Sequence, residues 1–143
     1  MRQIVPFLVV LAIGYIAWQE FGPGPGYPGS SSGADAVLAN AFESRQSNLQ
    51  VLGLGEVVSV LPDDRDGSRH QRFVLRLDSG QTILVAHNID LAPRVPDLEN
   101  GDIVEFHGEY EWNPKGGVIH WTHDDPGGRH VDGWLKHKGR TYR

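Results

Sequence analysis

Cysteine is absent from this chain of 143 residues, which excludes disulfide bonds and thiolate chemistry. The chain also lacks a surplus of positive charge, since 13 lysines and arginines face 18 aspartates and glutamates, for a formal net charge of −5. This balance argues against long duplex nucleic acid as a partner, because duplex binding depends on clustered cationic side chains. Neither a glycine-rich phosphate loop nor a serine in a nucleophile-elbow pattern occurs.

The charge is unevenly distributed along the chain. Residues 126–143 carry a net charge of +4, whereas residues 1–125 carry −9. Such a basic end predicts either a local surface that faces an anion or a tail that pairs with its own acidic body. The sequence leaves both interpretations open.

Residues 1–21 have the pattern of a membrane anchor. Arg2 precedes an uncharged, mainly apolar run from Ile4 to Trp18, and extending the run to Phe21 brings it close to the length that spans a bilayer. A cleaved signal peptide is the alternative, but the nearest small-residue cleavage pattern begins only at Ala34. We therefore expect a single-pass anchor with the remainder outside the cytoplasm, or else a secreted or periplasmic protein after cleavage.

Residues 22–34 are rich in glycine, proline and serine and predict a linker, so that the folded domain comprises residues 35–143. Asp35 suits the N-cap of a short helix ending near Asn48. The apolar face of this helix would consist of Val37, Leu38, Ala41 and Phe42.

After this helix the hydrophobic period changes to two, which predicts strands. The predicted strands are Val51–Leu61, Gln71–Leu77, Thr82–His87, Asp102–Trp112 and Val118–His123, with a last hairpin around Lys138-Gly139. Gly53 and Gly55 suggest a bend in the first strand. The pattern favours a mainly β fold, a small five-stranded OB-like barrel with a short N-terminal helix and a C-terminal hairpin. Another small barrel or a sandwich is the alternative.

Two strand registers matter for the candidate sites. A two-residue turn at Ser79-Gly80 would place Phe73 opposite Ala86 and Arg72 opposite His87. For the next hairpin, one register sets His107 opposite His123, and a slip of one residue instead sets Glu109 beside His120. The sequence does not choose between these last two.

The stretch from His120 to His137 holds the side chains most able to do chemistry. Imidazoles and carboxylates bind divalent metals such as zinc, so we expect ligands among His120, His123, His130 and His107. Asp124 and Asp125 could act as ligand or base, with Arg129 orienting an anionic substrate.

A structural interpretation competes with this one. His120 and His123 would lie on opposite faces of a strand unless the backbone bends near Thr122. In the structural interpretation His120 or His123 stacks on Trp121, Asp125 caps the Pro126-Gly127 turn, and Arg129 pairs with Glu109 or Glu111.

Ligand-binding residues are also predicted. Arg72 and His87 could bind an anion as cross-strand neighbours, although a solvated pair fits the same pattern. Tyr110, Trp112 and Trp121 could stack on a ligand that Arg129 clamps.

Several runs resemble a bacterial family of short membrane-anchored proteins, catalogued as domain-of-unknown-function 3465. The resemblance covers roughly residues 38–142 and implies an inner-membrane anchor and this domain extent, without an activity or a catalytic residue. It is carried by His70-Gln71-Arg72-Phe73, residues 87–94, Gly116 to His123, Asp125-Pro126, Arg129-His130, Gly133-Trp134 and His137.

Three functions remain open from the sequence. The first is a membrane-tethered, periplasm-facing OB-like domain that binds a short oligonucleotide, a glycan or another anionic molecule. The second is a metal-dependent hydrolase of the nuclease or phosphodiesterase kind, which uses the His/Asp cluster. The third is a structural or interaction module of an envelope complex.

Overall fold

The computed structural model describes residues 32–143, so the predicted anchor (1–21) and most of the predicted linker lie outside the described residues. In the described part of the chain no helix has the length and apolar character needed to cross a membrane. This part is mainly β, with seven strands and one helix, which confirms the predicted class. The elements are α1 Ser32–Glu43, β1 Leu49–Asp64, β2 His70–Arg76, β3 Thr82–Asn88, β4 Ile103–Glu111, β5 Val118–His120, β6 Trp134–His137 and β7 Arg140–Tyr142.

The helix starts and ends earlier than the sequence predicted. Asp35 lies in its first turn rather than at its N-cap, and Oδ2 of Asp35 accepts a hydrogen bond from the Ser79 amide at 3.2 Å. Leu38 and Ala41 are fully buried as predicted, whereas Val37 is 50% exposed. The Asp35 carboxylate thus ties the helix to the β2–β3 turn instead of capping it.

Strand β1 pairs with two different strands along its length. Residues 49–56 pair with β4, and residues 56–64 pair with β2. The two predicted glycines lie in the first half, where a Cβ on Gly53 would come within 2.7 Å of the Phe106 ring. A Cβ on Gly55 would lie 3.0 Å from the Arg76 carbonyl oxygen. The glycines are needed because other chain segments cross β1 closely.

Five strands form a closed ring of pairings in the order β1, β2, β3, β5, β4 and back to β1. All these pairings are antiparallel except β3 with β5, which is parallel. The hairpin β6–β7 extends the sheet by pairing with residues 104–107 of β4. Strand β4 is therefore held along both edges.

Alternate residues of the strands face two separate apolar clusters, as the period of two requires. The larger cluster lies inside the ring and includes Phe73, Phe106, Tyr110 and Ile119, together with Leu38 of the helix. The smaller cluster lies on the opposite face of β1, β2, β3 and β5. Its members are Val58, Val74, Leu84, Ala86 and Val118, with Leu61 packed against them.

The predicted register of the β2–β3 hairpin is wrong by one residue. Phe73 pairs with Val85, and Arg72 pairs with Ala86 instead of His87. The reason is the turn, in which the Leu77 amide donates to the Gln81 carbonyl at 2.8 Å, so that Asp78 joins Ser79 and Gly80 in the loop. Arg72 was predicted to face solvent, yet it is only 1% exposed.

Strand β5 is shorter than predicted and ends at His120 rather than His123. Trp121 has a φ of +54°, which takes the backbone out of the extended conformation immediately after the strand. The sequence analysis required a bend near Thr122 to bring His120 and His123 together. A bend occurs one residue earlier, at Trp121.

Candidate metal centre

The register of β4 and β5 brings carboxylates and an imidazole onto one face of the sheet. Glu109 pairs with His120, and Glu111 pairs with Val118. The alternative register with the one-residue slip is therefore the one that occurs. Because side chains alternate along a strand, Glu109, Glu111 and His120 point away from the core that contains Tyr110 and Ile119.

These three side chains lie within contact distance of one another. Nε2 of His120 is 3.0 Å from Oε2 of Glu109 and 3.7 Å from Oε1 of Glu111. One ligand atom of each residue lies within 4.8 Å of the other two. The side chains are 17–26% exposed, so that the cluster is shielded from bulk water but still reachable.

Burial shifts the protonation of this cluster. It lowers the pKa of His120 despite the nearby Glu109 carboxylate. Burial also raises the pKa of Glu111, and the Glu109 charge raises it further. The lowered pKa favours the neutral imidazole of His120, and a cation placed beside Glu111 would offset the burial and the Glu109 charge that raise the pKa of Glu111.

His130 contacts the second carboxylate oxygen of Glu109. Its Nε2 lies 3.1 Å from Oε1 of Glu109, while its Nδ1 donates to the Val131 carbonyl at 2.8 Å. The imidazole stacks on Trp121 with ring centroids 4.1 Å apart and planes 7° apart. Burial alone would lower the pKa of His130, but the Val131 hydrogen bond and the Glu109 carboxylate together raise it.

Asp125 anchors the loop that carries His130. Its carboxylate accepts the amides of Gly127 and Arg129, both at 2.9 Å, and the amide of His130 at 2.7 Å. These backbone hydrogen bonds lower the pKa of Asp125. The residue was predicted either as a catalytic carboxylate or as a turn cap, and its contacts are those of the cap.

The other predicted catalytic residues, Asp124 and Arg129, lie on the surface. Asp124 pairs with Arg143 at 3.0 Å, and its side chain is 50% exposed. Arg129 is exposed. Glu109, a proposed partner of Arg129 in the structural interpretation, contacts two imidazoles instead.

Two of the four predicted metal ligands are not brought to the cluster. His123 is 3% exposed, and its Nδ1 donates to the Asp124 carbonyl at 2.7 Å. His107 lies against Trp134 with ring centroids 5.9 Å apart, and its Nε2 is 3.3 Å from the Gln50 amide nitrogen. The bend at Trp121 therefore does not bring His123 into the group formed by Glu109, Glu111 and His120.

The aromatic side chains predicted to stack on a ligand have partners within the domain. Tyr110 is fully buried, and its hydroxyl donates to the Gly116 carbonyl at 2.8 Å. Trp112 stacks on Phe42 and donates its indole N–H to the Phe42 carbonyl at 2.9 Å. The ring of Trp121 is covered by His130 on one face.

Arg72 and His87 do not form the anion site considered from the sequence. Nε of Arg72 donates to the Pro62 carbonyl at 2.9 Å. His87 is fully buried between the Thr122 hydroxyl at 2.7 Å and the Pro93 carbonyl at 2.9 Å. Burial lowers the pKa of His87 to about 4, so this imidazole is neutral at pH 7.

Sequence reasoning found His120 and His130 but missed the carboxylates as ligands. Glu109 was considered beside His120 only in the slipped register, and Glu111 only as a partner of Arg129. The sequence did contain an indication, because acidic residues alternate along β4. Recognising them as ligands required the register of β4 and β5, which places Glu109 beside His120.

The chain was compared with curated proteins and with protein-family models. No match is found among curated proteins. The family model described as "Protein of unknown function (DUF3465)" matches residues 27–143. This match confirms the resemblance inferred from the sequence, and the chain belongs to that family.

Proposed function

We propose that this domain binds a divalent transition-metal ion, with zinc as the reference ion, through Glu109, Glu111 and His120. The observation that carries the proposal is the convergence of one atom from each residue to within 4.8 Å of the others on a partly shielded face. Bond lengths of about 2.0–2.2 Å to nitrogen and oxygen place neighbouring ligands of a tetrahedral zinc ion about 3.3 Å apart. The separations of 3.0 and 3.7 Å from His120 to the two carboxylates fit that geometry.

The donor set selects the kind of ion. Calcium prefers six to eight oxygen ligands, and magnesium prefers octahedral oxygen coordination with several waters. One imidazole nitrogen with two carboxylates suits zinc and its neighbours in the first transition row. Three protein ligands also leave a coordination position for water or for a substrate atom, which is the arrangement of sites that polarise a bound oxygen.

We also propose that the ring is an OB-type barrel and that residues 1–21 hold it on the periplasmic side of the inner membrane. Support for the barrel is the closed order of five strands with a long, shared first strand. Support for the anchor is the charged start followed by the apolar run in the sequence. In this arrangement the metal centre would face the envelope space.

Equilibrium dialysis of the full chain in detergent, followed by metal analysis, tests the metal site. We expect one zinc ion per chain and a loss of affinity of about 100-fold or more for Glu109→Gln. Glu105→Gln is the matched control, because Glu105 lies on the same strand and face but has Lys136 as its neighbour at 3.9 Å. Absence of stoichiometric zinc, or equal affinity in the two variants, would contradict the proposal.

A further inference from the structure

We infer that His130 is the positioning residue of this metal centre and holds the Glu109 carboxylate so that one oxygen faces the ion. The inference rests on the proposed metal site. His130 lies outside the sheet, so the loop from Trp121 to Val131 would contribute to metal affinity.

The Glu109 carboxylate is contacted on both of its oxygens. Oε2 faces His120 and, with Glu111, the proposed ion position, while Oε1 faces Nε2 of His130 at 3.1 Å. A carboxylate held at one oxygen cannot rotate freely about its terminal bond. Hydrogen bonding of this kind to a metal-ligating carboxylate orients the ligand and typically changes metal affinity by about 10- to 100-fold.

The contacts of the His130 ring favour an orienting role over direct ligation. Both atoms that its nitrogens face, the Val131 carbonyl oxygen and the Glu109 carboxylate oxygen, accept hydrogen bonds and cannot donate them. Nδ1 therefore donates to Val131, and Nε2 faces one oxygen of a single carboxylate, whereas Nε2 of His120 faces the two carboxylates of Glu109 and Glu111. His130 contacts the oxygen of Glu109 that His120 does not contact, and it is not a member of the group formed by Glu109, Glu111 and His120.

The loop that carries His130 is constrained at three points. The ring stacks on Trp121, the His130 amide is bound by Asp125 at 2.7 Å, and the Gly133 amide donates to the His123 carbonyl at 2.9 Å. Trp121 itself adopts a φ of +54°, which is uncommon for a bulky side chain. An unfavourable backbone conformation that places an aromatic ring under an imidazole indicates that the position of this imidazole matters.

Two substitutions of His130 separate orientation from packing. In His130→Phe the aromatic ring can still stack on Trp121, but the donor to Glu109 is lost. In His130→Gln the side-chain amide places a donor near the original Nε2. Zinc affinity would be measured for the full chain by competition with a chromophoric chelator, together with the melting temperature of each metal-free variant.

We expect His130→Phe to weaken zinc binding 10- to 100-fold, and His130→Gln to remain within a few-fold of the parent protein. The metal-free melting temperatures should be alike. His107→Phe is the matched control, because His107 extends from the same strand as Glu109 but contacts Trp134 and Gln50. Its zinc affinity should equal that of the parent.

Two results would overturn the inference while leaving the proposed function intact. Unchanged zinc affinity in His130→Phe would show that Glu109 needs no orienting partner. An equal loss in both His130 variants would mean that the imidazole ligates the ion directly. If Glu109→Gln binds zinc as the parent does, the metal site itself is wrong, and the positioning role fails with it.

Discussion

At the scale of single residues, the backbone of Trp121 decides which imidazoles meet. Its φ of +54° ends β5 and leaves His120 on the sheet face beside Glu109. The chain then buries His123 and returns with His130 at the other oxygen of the same carboxylate. The sequence stretch with the most histidines therefore supplies one proposed ligand and one proposed orienting partner.

His87 gives the clearest pH dependence in the domain. Its folded pKa of about 4 lies below the ordinary value of 6.5, because burial opposes the charged form. At this site the unfolded chain therefore binds more protons than the folded chain between pH 6.5 and 4. The contribution of His87 to stability is fully present above pH 6.5 and is lost as the pH falls through this window, by about 3 kcal/mol.

Urea unfolding in the presence of EDTA, at pH 7 and at pH 4.5, measures this effect without a contribution from bound metal. In His87→Gln the replaced side chain does not titrate, so the loss of unfolding free energy over this range should be smaller by a few kcal/mol. If the variant and the parent lose the same amount, the buried imidazole is not responsible for the acid sensitivity.

At the scale of elements, Gly133 fixes how closely the start of β6 approaches the end of β5. A Cβ at this position would lie 2.0 Å from the Trp121 carbonyl oxygen and 2.5 Å from the His107 carbonyl oxygen. Both obstacles are backbone atoms, so Gly133→Ala must push the two segments apart. We expect a loss of about 3 kcal/mol in unfolding free energy, at the upper end of the usual cost of overpacking.

Gly127→Ala is the control for this substitution. It lies in the same loop, but its Cβ would be 3.4 Å from the nearest atom, an ordinary contact. Chemical denaturation of the two variants should show a large effect at position 133 and an effect below about 1 kcal/mol at position 127. Similar stabilities would mean that the segments separate at little cost.

The strands were predictable from the sequence because alternating hydrophobicity directly reports a half-buried sheet. The candidate site was less predictable, since it depends on registers and on one backbone dihedral angle. A third loop residue, Asp78, shifted one hairpin, and a left-handed tryptophan shortened β5. The burial of Arg72 was also missed, because arginine on a strand ordinarily indicates a solvent-facing position.

At the scale of the whole molecule, a folded-state metal site predicts stabilisation by mass action. Zinc at 100 times its dissociation constant should add about 2.7 kcal/mol if it binds only the folded chain. For a domain of this size, that corresponds to a rise of about 10 °C in melting temperature. Scanning calorimetry or circular dichroism on the full chain in detergent would measure the rise.

Magnesium at the same concentration should leave the melting temperature unchanged, because the donor set suits it poorly. Glu109→Gln should abolish the rise with zinc, and Glu105→Gln should retain it. A rise of equal size in both variants would place the stabilising ion elsewhere on the acidic surface.

The strands that close the ring are far apart in the sequence, whereas the residues of the proposed metal centre are close together in it. Closure joins residues 49–56 to residues 103–110, whereas the proposed ligands and their orienting partner all come from residues 109–130. Contacts between near neighbours in sequence form faster than those that close long loops. We therefore expect the β4–β5 hairpin to capture zinc before the first strand docks, so that the ion speeds folding, while its effect on equilibrium stability is still set by binding to the folded domain.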